Sequence, residues 1–217
     1  MRLAGRVAVV TGASRGIGRA IVSLFESEGA RVAGCARYAA LGVDVCDVRR
    51  GADVARFAAS VKERYGTPDI VVNNAGIVVR AELDVMQESD WDDVVDSNLK
   101  GTFLISRAFL PEMRARRRGS LINVASISGR LGTSGLTAYC AAKHGVVGLT
   151  RALAEEVRSD GLSVNAICPG SVDTEMLRVG MPGAQPRMSP EDIARVALFL
   201  AADAPAALTG SCVDVFG

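Results

Sequence analysis

The segment that most limits what this chain can become lies near its start. Arg6 to Thr11 (RVAVVT) is a short apolar run that suits a strand buried on both faces. It passes directly into Gly12, Ala13, Ser14, Arg15, Gly16, Ile17 and Gly18, and then into a helical pattern that holds to about Glu28. Strand, glycine turn, helix is the setting in which a glycine motif becomes a phosphate-binding hypothesis. Glycine lets the backbone approach a pyrophosphate, and a helix N-terminus adds free N–H groups and positive potential. The spacing is Gly-x-x-x-Gly-x-Gly rather than the commoner Gly-x-Gly-x-x-Gly, and by itself it also fits a tight turn against a packed helix.

The rest of the chain repeats the alternation. Arg31 to Ala36 predicts a second strand. A dinucleotide fold would place an acidic residue at its end for the ribose 2′-hydroxyl, but this strand ends in Arg37. Arg37, with Arg15 facing it from the glycine loop, suits a 2′-phosphate and so NADP(H) over NAD(H). The alternative is two surface arginines in an arginine-rich chain. Leu41 to Val45 then leads into Cys46, Asp47 and Val48. Parallel strands normally need a crossover of a dozen or more residues, so the helix after the second strand is expected to be shortened or absent, with a shallow adenine side.

Further elements follow at Gly51 to Tyr65 (helix), Asp69 to Val72 (strand, running into Asn73, Asn74, Ala75 and Gly76) and Glu88 to Phe109 (long helix). Asn98 and Gly101 inside that helix predict a kink. Ser120 to Ala125 is a strand ending at Ser126, and Leu162 to Cys168 is another, followed by Pro169 and Gly170. A helix over Glu191 to Ala201 and a strand over Ser211 to Phe216 complete the pattern. Six to seven strands alternating with helices predict an α/β fold, a Rossmann-type doubly wound parallel sheet over residues 1–217 as a single dinucleotide-binding and catalytic domain.

Tyr139 and Lys143 lie four residues apart in a segment that reads as helix from Thr137 to Ser159, so they share a face. A free tyrosine, with a pKa of about 10, is a weak base at neutral pH. A neighbouring cation favours the phenolate and lowers that value, giving a general acid/base for the proton of an alcohol. The chain has 22 Arg and three Lys, yet position 143 is Lys. Lysine is the cation whose pKa is readily tuned. An ordinary helical Tyr with a solvated Lys is the competing interpretation.

Composition excludes other classes. The net charge of +1 provides no field for nucleic acid or membrane, and the basic run from Arg114 to Arg118 reads as a solvated helix end. Five cysteines lack metal-ligand spacing and suggest free thiols in a reducing compartment. No apolar run reaches the roughly 18 residues of a membrane span. The first strand begins so early that no targeting segment is expected, and the location read from this is cytoplasmic. His144, the only histidine, points about 100° away from Lys143 on a helix and is expected at an interface or in the core.

Taken together, the chain resembles the short-chain dehydrogenase/reductases over nearly its whole length. The motifs stand in family order: TGASRGIG (Thr11 to Gly18), CDV (Cys46 to Val48), NNAG (Asn73 to Gly76), Asn98, Ser126, YCAAK (Tyr139 to Lys143) and Pro169-Gly170. The resemblance implies that Tyr139 donates a proton to a carbonyl oxygen, Lys143 holds the nicotinamide ribose and lowers the tyrosine pKa, Ser126 bonds the carbonyl oxygen, and Asn98 places a water beside Lys143. It also implies that Gly12, Ser14, Arg15, Gly16, Ile17 and Gly18 hold the cofactor. Asp47 and Val48 would meet adenine; Asn74, with Ala75 and Gly76, the adenosine ribose; and Val172 and Thr174, after Pro169 and Gly170, the carboxamide.

The pattern is closest to the 3-oxoacyl-(acyl-carrier-protein) reductases, which implies NADPH-dependent interconversion of a ketone and a secondary alcohol in a homodimer or homotetramer. A polyol, steroid or dihydrodiol dehydrogenase, or a non-catalytic NADP sensor on the same fold, is the alternative. The chain departs from the family in the helix after strand two, in the brief stretch from Met176 to Pro190 where a substrate lid is common, and in stopping at Gly217, near where a C-terminal tail usually continues.

Overall fold

A computed structural model describes residues 1–217. Seven strands form one fully parallel sheet: β1 (Val7–Thr11), β2 (Arg31–Ala36), β3 (Val43–Val45), β4 (Ile70–Asn73), β5 (Gly119–Val124), β6 (Leu162–Pro169) and β7 (Cys212–Val215). Their spatial order is β3-β2-β1-β4-β5-β6-β7. The chain therefore winds outward from β1 in one direction, returns, and winds outward from β4 in the other. That reversal between β1 and β4 is the switch point at which open α/β sheets leave a crevice.

The β1 residues are all buried, as expected of a strand covered on both faces. Alternate residues separate the two cores. Ala8 and Val10 join Ile21 and Phe25 of α1 (Gly16–Ser27) and Ile193, Ala197 and Leu198 of a late helix, Pro190–Ala202. Val9 and Val71 join Phe57 of α2 (Gly51–Tyr65) and the apolar side of the helices that follow β4. There Phe57 and Phe109 meet edge to face, with ring centroids 6.5 Å apart.

The helix absent from the sequence pattern is absent from the fold. Only Arg37 to Gly42 separate β2 from β3, and Gly34 is already paired with Val43. The expected long helix is present but not uniform. It comprises α3 (Glu88–Val95), a π-helical turn over Asp96–Lys100, and α4 (Gly101–Arg116). The predicted kink is thus a π-turn, and Asn98 sits inside it.

α5 (Thr137–Glu156) carries Tyr139 and Lys143. A helix not anticipated from the sequence, α6 (Glu175–Gly180), precedes α7 (Pro190–Ala202), which opens on a capping box between Ser189 and Asp192. The arginine run ends the helix at the surface, as expected, with Arg116, Arg117 and Arg118 exposed, and its guanidinium groups also find partners. Arg116 pairs with buried Asp69, Arg114 with Asp160, and the Arg117 guanidinium donates to the Ser159 carbonyl. No helix is long and apolar enough to cross a membrane.

Candidate active site

The C-terminal ends of β1, β4, β5 and β6 and the first turn of α1 enclose a crevice of about 1180 Å³. Glycine geometry shapes its floor. Gly12 has φ +66° and Gly16 φ +53°, a region glycine enters freely. A Cβ on Gly12 would stand 2.9 Å from the Ala75 Cα. Gly18 does not line the crevice; it lies behind, where a Cβ would fall 2.2 Å from the Gly12 carbonyl oxygen. α1 has no side-chain cap at Arg15, so its first N–H groups remain available to an anion.

Thr11 and Asn74 lock this loop to the end of β4. The Thr11 hydroxyl oxygen accepts from the N–H groups of Asn74 and Ala75, both at 3.0 Å. The Asn74 amide donates to the carbonyls of Thr11 (3.0 Å) and Gly12 (3.3 Å). With both amide hydrogens engaged, Asn74 offers a ligand its carbonyl oxygen only.

Ser14, Ile17, Arg37, Asp47 and Val48 line the outer half of the crevice. Both Asp47 carboxylate oxygens accept from Arg49, whose guanidinium also reaches Asp93; Arg49 holds the Asp47 carboxyl below its usual range. Arg15 extends across the mouth to an ion pair with Glu175 at the start of α6. The guanidinium of Arg37 lies 5.1 Å from the centroid of the Tyr38 ring.

The inner half brings Ser126, Tyr139 and Lys143 to one wall. Ser126 stands at the end of β5, where its hydroxyl oxygen accepts from Ser128 N–H at 3.1 Å and starts a short 3-10 turn. Gly129 lets that turn rest on α5, since a Cβ there would come within 2.7 Å of the Lys143 carbonyl oxygen. Lys143 is buried, donates to the Val124 carbonyl at 2.8 Å, and lies 5.6 Å from the Tyr139 ring centroid. Burial pushes its ammonium down to about 8.

Burial pushes the Tyr139 phenol the other way, up to about 12, opposed only in part by nearby Ser126. This is the reverse of the shift expected from the Tyr-x-x-x-Lys spacing. The ammonium is turned to a backbone carbonyl rather than to the hydroxyl, and desolvation dominates. The one hydrogen bond of the phenol runs to the sulfur of Met176 on α6, at 3.8 Å.

Asn98 lies under the crevice rather than on its wall; its neighbour Ser97 is the lining residue. The Asn98 amide donates to Ile77 and Val94 carbonyls, each at 2.8 Å. Its buried Oδ1 has no partner. A Cβ on Gly76 would be 2.3 Å from that oxygen and 3.7 Å from the Lys143 ammonium, so this glycine keeps open the gap between the two groups. Pro169, Gly170, Val172 and Thr174 form the opposite rim. Val172 bridges to Met188, and Thr174 caps α6 by accepting from Leu177 N–H at 3.3 Å.

Behind the wall lies a polar chain that motif reading did not reach. Asn73 donates to Ser106 (3.0 Å) and to Asn123 (2.8 Å), and Asn123 donates to Thr150 (2.8 Å), two turns along α5 from Lys143. It ties β4, β5, α4 and α5 in one register. Asparagine in an otherwise apolar strand is the signal that points to it. Met176 and Glu175 had no such signal, because six residues of helix carry too little periodicity.

The chain matches the family model described as short chain dehydrogenase over residues 6–181. It belongs to the short-chain dehydrogenase family. This short-chain dehydrogenase is 42% identical to the 3-oxoacyl-(acyl-carrier-protein) reductase of Pseudomonas aeruginosa over 243 aligned positions, covering 100% of the chain and 98% of that protein. It is 37% identical to the protein of the same name from Thermotoga maritima, with the same coverage. A crystal structure described as ribose-5-phosphate isomerase from Brucella melitensis 16M superposes with a TM-score of 0.93 at 34% identity, covering 99% of this chain and 92% of that one. The alignment to the Pseudomonas protein runs over 243 positions against the 217 residues of this chain, a difference of 26. The six-residue link between β2 and β3 is one place where the fold is short. As a member of this family the protein is an oxidoreductase acting on CH–OH and C=O groups, built on a Rossmann-type sheet.

Proposed function

We propose that the protein is an NADPH-dependent carbonyl reductase whose whole chain works as one dinucleotide-binding and catalytic unit. The observation that carries this reading is that Ser126, Tyr139 and Lys143 line the same crevice as the glycine cradle of α1. The cradle fits a dinucleotide: its glycines leave the backbone bare, the α1 N-terminus is uncapped, and the volume exceeds the roughly 300–1,000 Å³ of ordinary ligand pockets.

Gly12, Ser14, Arg15, Gly16 and Ile17 would hold the pyrophosphate side, with Gly18 supporting the loop from behind. Arg37 and Arg15 would take a 2′-phosphate; Asp47, Val48, Asn74, Ala75 and Gly76 the adenosine; and Pro169, Gly170, Val172 and Thr174 the nicotinamide end. When bound, NADPH supplies the hydride. Ser126 Oγ donates a hydrogen bond to the substrate carbonyl oxygen and stabilises the charge developing there. Tyr139 Oη gives that oxygen its proton. A phenol held near 12 keeps its proton at neutral pH, which suits reduction. Lys143 Nζ orients the ribose and compensates the phenolate left behind. The unpartnered Oδ1 of Asn98, facing Lys143 across Gly76, supports a water-linked path that reprotonates the tyrosine.

A 3-oxoacyl thioester is the substrate class that the named relatives favour. Small polyols, steroids or dihydrodiols are the second class, and a non-catalytic NADP sensor the third. Exposed Phe103 on α4, together with His144 exposed on α5, supports self-association through these helices as a homodimer or homotetramer. The free thiols support a reducing, cytoplasmic setting.

The deciding assay follows NADPH consumption with 3-oxoacyl thioesters and a ketone panel, and NADP⁺ reduction with alcohols. Fastest turnover of a 3-oxoacyl thioester is the expected result. Preference for another carbonyl replaces the substrate class, and tight NADPH binding with no turnover of any substrate favours the sensor.

A further inference from the structure

The link that replaces the missing helix carries the chain's most exposed aromatic side chain. Tyr38 is 73% exposed, directly after Arg37, and both line the crevice. An exposed tyrosine alone would be ordinary surface. This one lines a ligand crevice together with Asp47 and Val48, with a guanidinium over its ring at 5.1 Å. At an exposed site such a contact biases Arg37 toward the ring without fixing it.

We propose that Tyr38 is the adenine platform of this enzyme, and that Tyr38 and Arg37 act as a pair on 2′-phosphoadenosine. The base stacks on the ring face opposite the guanidinium, and the neighbouring Arg37 takes the 2′-phosphate. The proposal rests on the dinucleotide reading above and adds the residue that makes up for the shortened fold. With only Arg37 to Gly42 joining β2 to β3, no helix follows β2, and the link itself supplies an aromatic surface for a purine on this side of the crevice. An aromatic ring serves any base through its π-face, and stacking of this kind is worth about 1–3 kcal/mol per base.

The test measures binding to the intact protein by calorimetry, with adenosine 2′,5′-bisphosphate, 5′-AMP and nicotinamide mononucleotide as probes. Tyr38→Ala is expected to weaken both adenosine probes by roughly 5- to 160-fold and to leave nicotinamide mononucleotide unchanged. Tyr38→Phe should bind like the parent, because the ring and not the hydroxyl is needed. Arg37→Ala should weaken the bisphosphate far more than 5′-AMP. Parent-like binding of the adenosine probes by Tyr38→Ala overturns the proposal while leaving the cofactor assignment intact, as does an equal loss for nicotinamide mononucleotide. A parent protein that binds neither adenosine probe overturns the dinucleotide reading and this proposal together.

Discussion

The hydroxyl of Tyr139 donates to the sulfur of Met176, 3.8 Å away, and so the six-residue helix α6 sits over the group proposed to protonate substrate. Glu175, the preceding residue, pairs with Arg15 on the far side of the crevice. Two consecutive residues of one short helix thus touch the catalytic end and the phosphate end of the same site.

Replacing Met176 tests whether α6 lies in the substrate path. Sulfur is a weak acceptor, so Met176→Ala removes little binding energy and opens space beside Tyr139. The KM for bulky ketones should fall several-fold while the NADPH Kd stays constant. Steady-state kinetics with a graded ketone series measures this. An unchanged KM throughout would place α6 outside the path.

Tyr139→Phe removes one hydroxyl whose only bond is to that sulfur. Turnover should drop by about 10²–10⁴-fold, the usual contribution of general acid catalysis, with NADPH affinity and melting temperature near those of the parent. Retained turnover would assign the proton to another group.

Lys143 sets a pH limb. Its pKa lies near 8 in the fold, against 10.5 for an unperturbed lysine. As pH rises through about 8 the folded protein loses the ammonium, so reductive kcat/KM should decline on that side of neutrality. Stability moves the other way. Between about 8 and 10.5 the unfolded chain binds the proton that the fold has released, so unfolding free energy rises with pH over this window. Lys143→Met should abolish this rise. Thermal melts across the window read it, and a flat parent profile would contradict the buried, depressed lysine.

Arg37→Asp should move cofactor preference from NADPH toward NADH by repelling the 2′-phosphate. Glu175→Gln should do the reverse on a smaller scale, freeing Arg15 from its ion pair. Both partners of that pair are mostly exposed, so its strength is at most about 1 kcal/mol, and the gain in NADPH affinity at most about five-fold. Kd values for both cofactors in each variant decide it. Equal ratios in parent and Arg37→Asp would remove Arg37 from cofactor selection.

Several features were legible because they are local. The strand at Val7–Thr11, the glycine turn and the shared face of Tyr139 and Lys143 each depend on neighbours a few residues away. The missing helix was readable from chain length, since nothing after Arg37 had room to form it. The same arithmetic could not show that Asn73, Asn123 and Thr150 would join, because these contacts cross 27 to 50 residues.

The sequence by itself determined the order of the strands and of the helices other than α6, the family motifs and the helical phase of Tyr139 and Lys143, all matters of periodicity and steric need within short segments. Only the tertiary structure decided the electrostatic state of that pair. Spacing predicted a phenol acidified by its neighbour. The fold instead buries both groups, turns the ammonium to the Val124 carbonyl and lays Met176 against the hydroxyl. Desolvation depends on every atom that surrounds a group, and those atoms come from β5, α5 and α6, segments far apart in the chain.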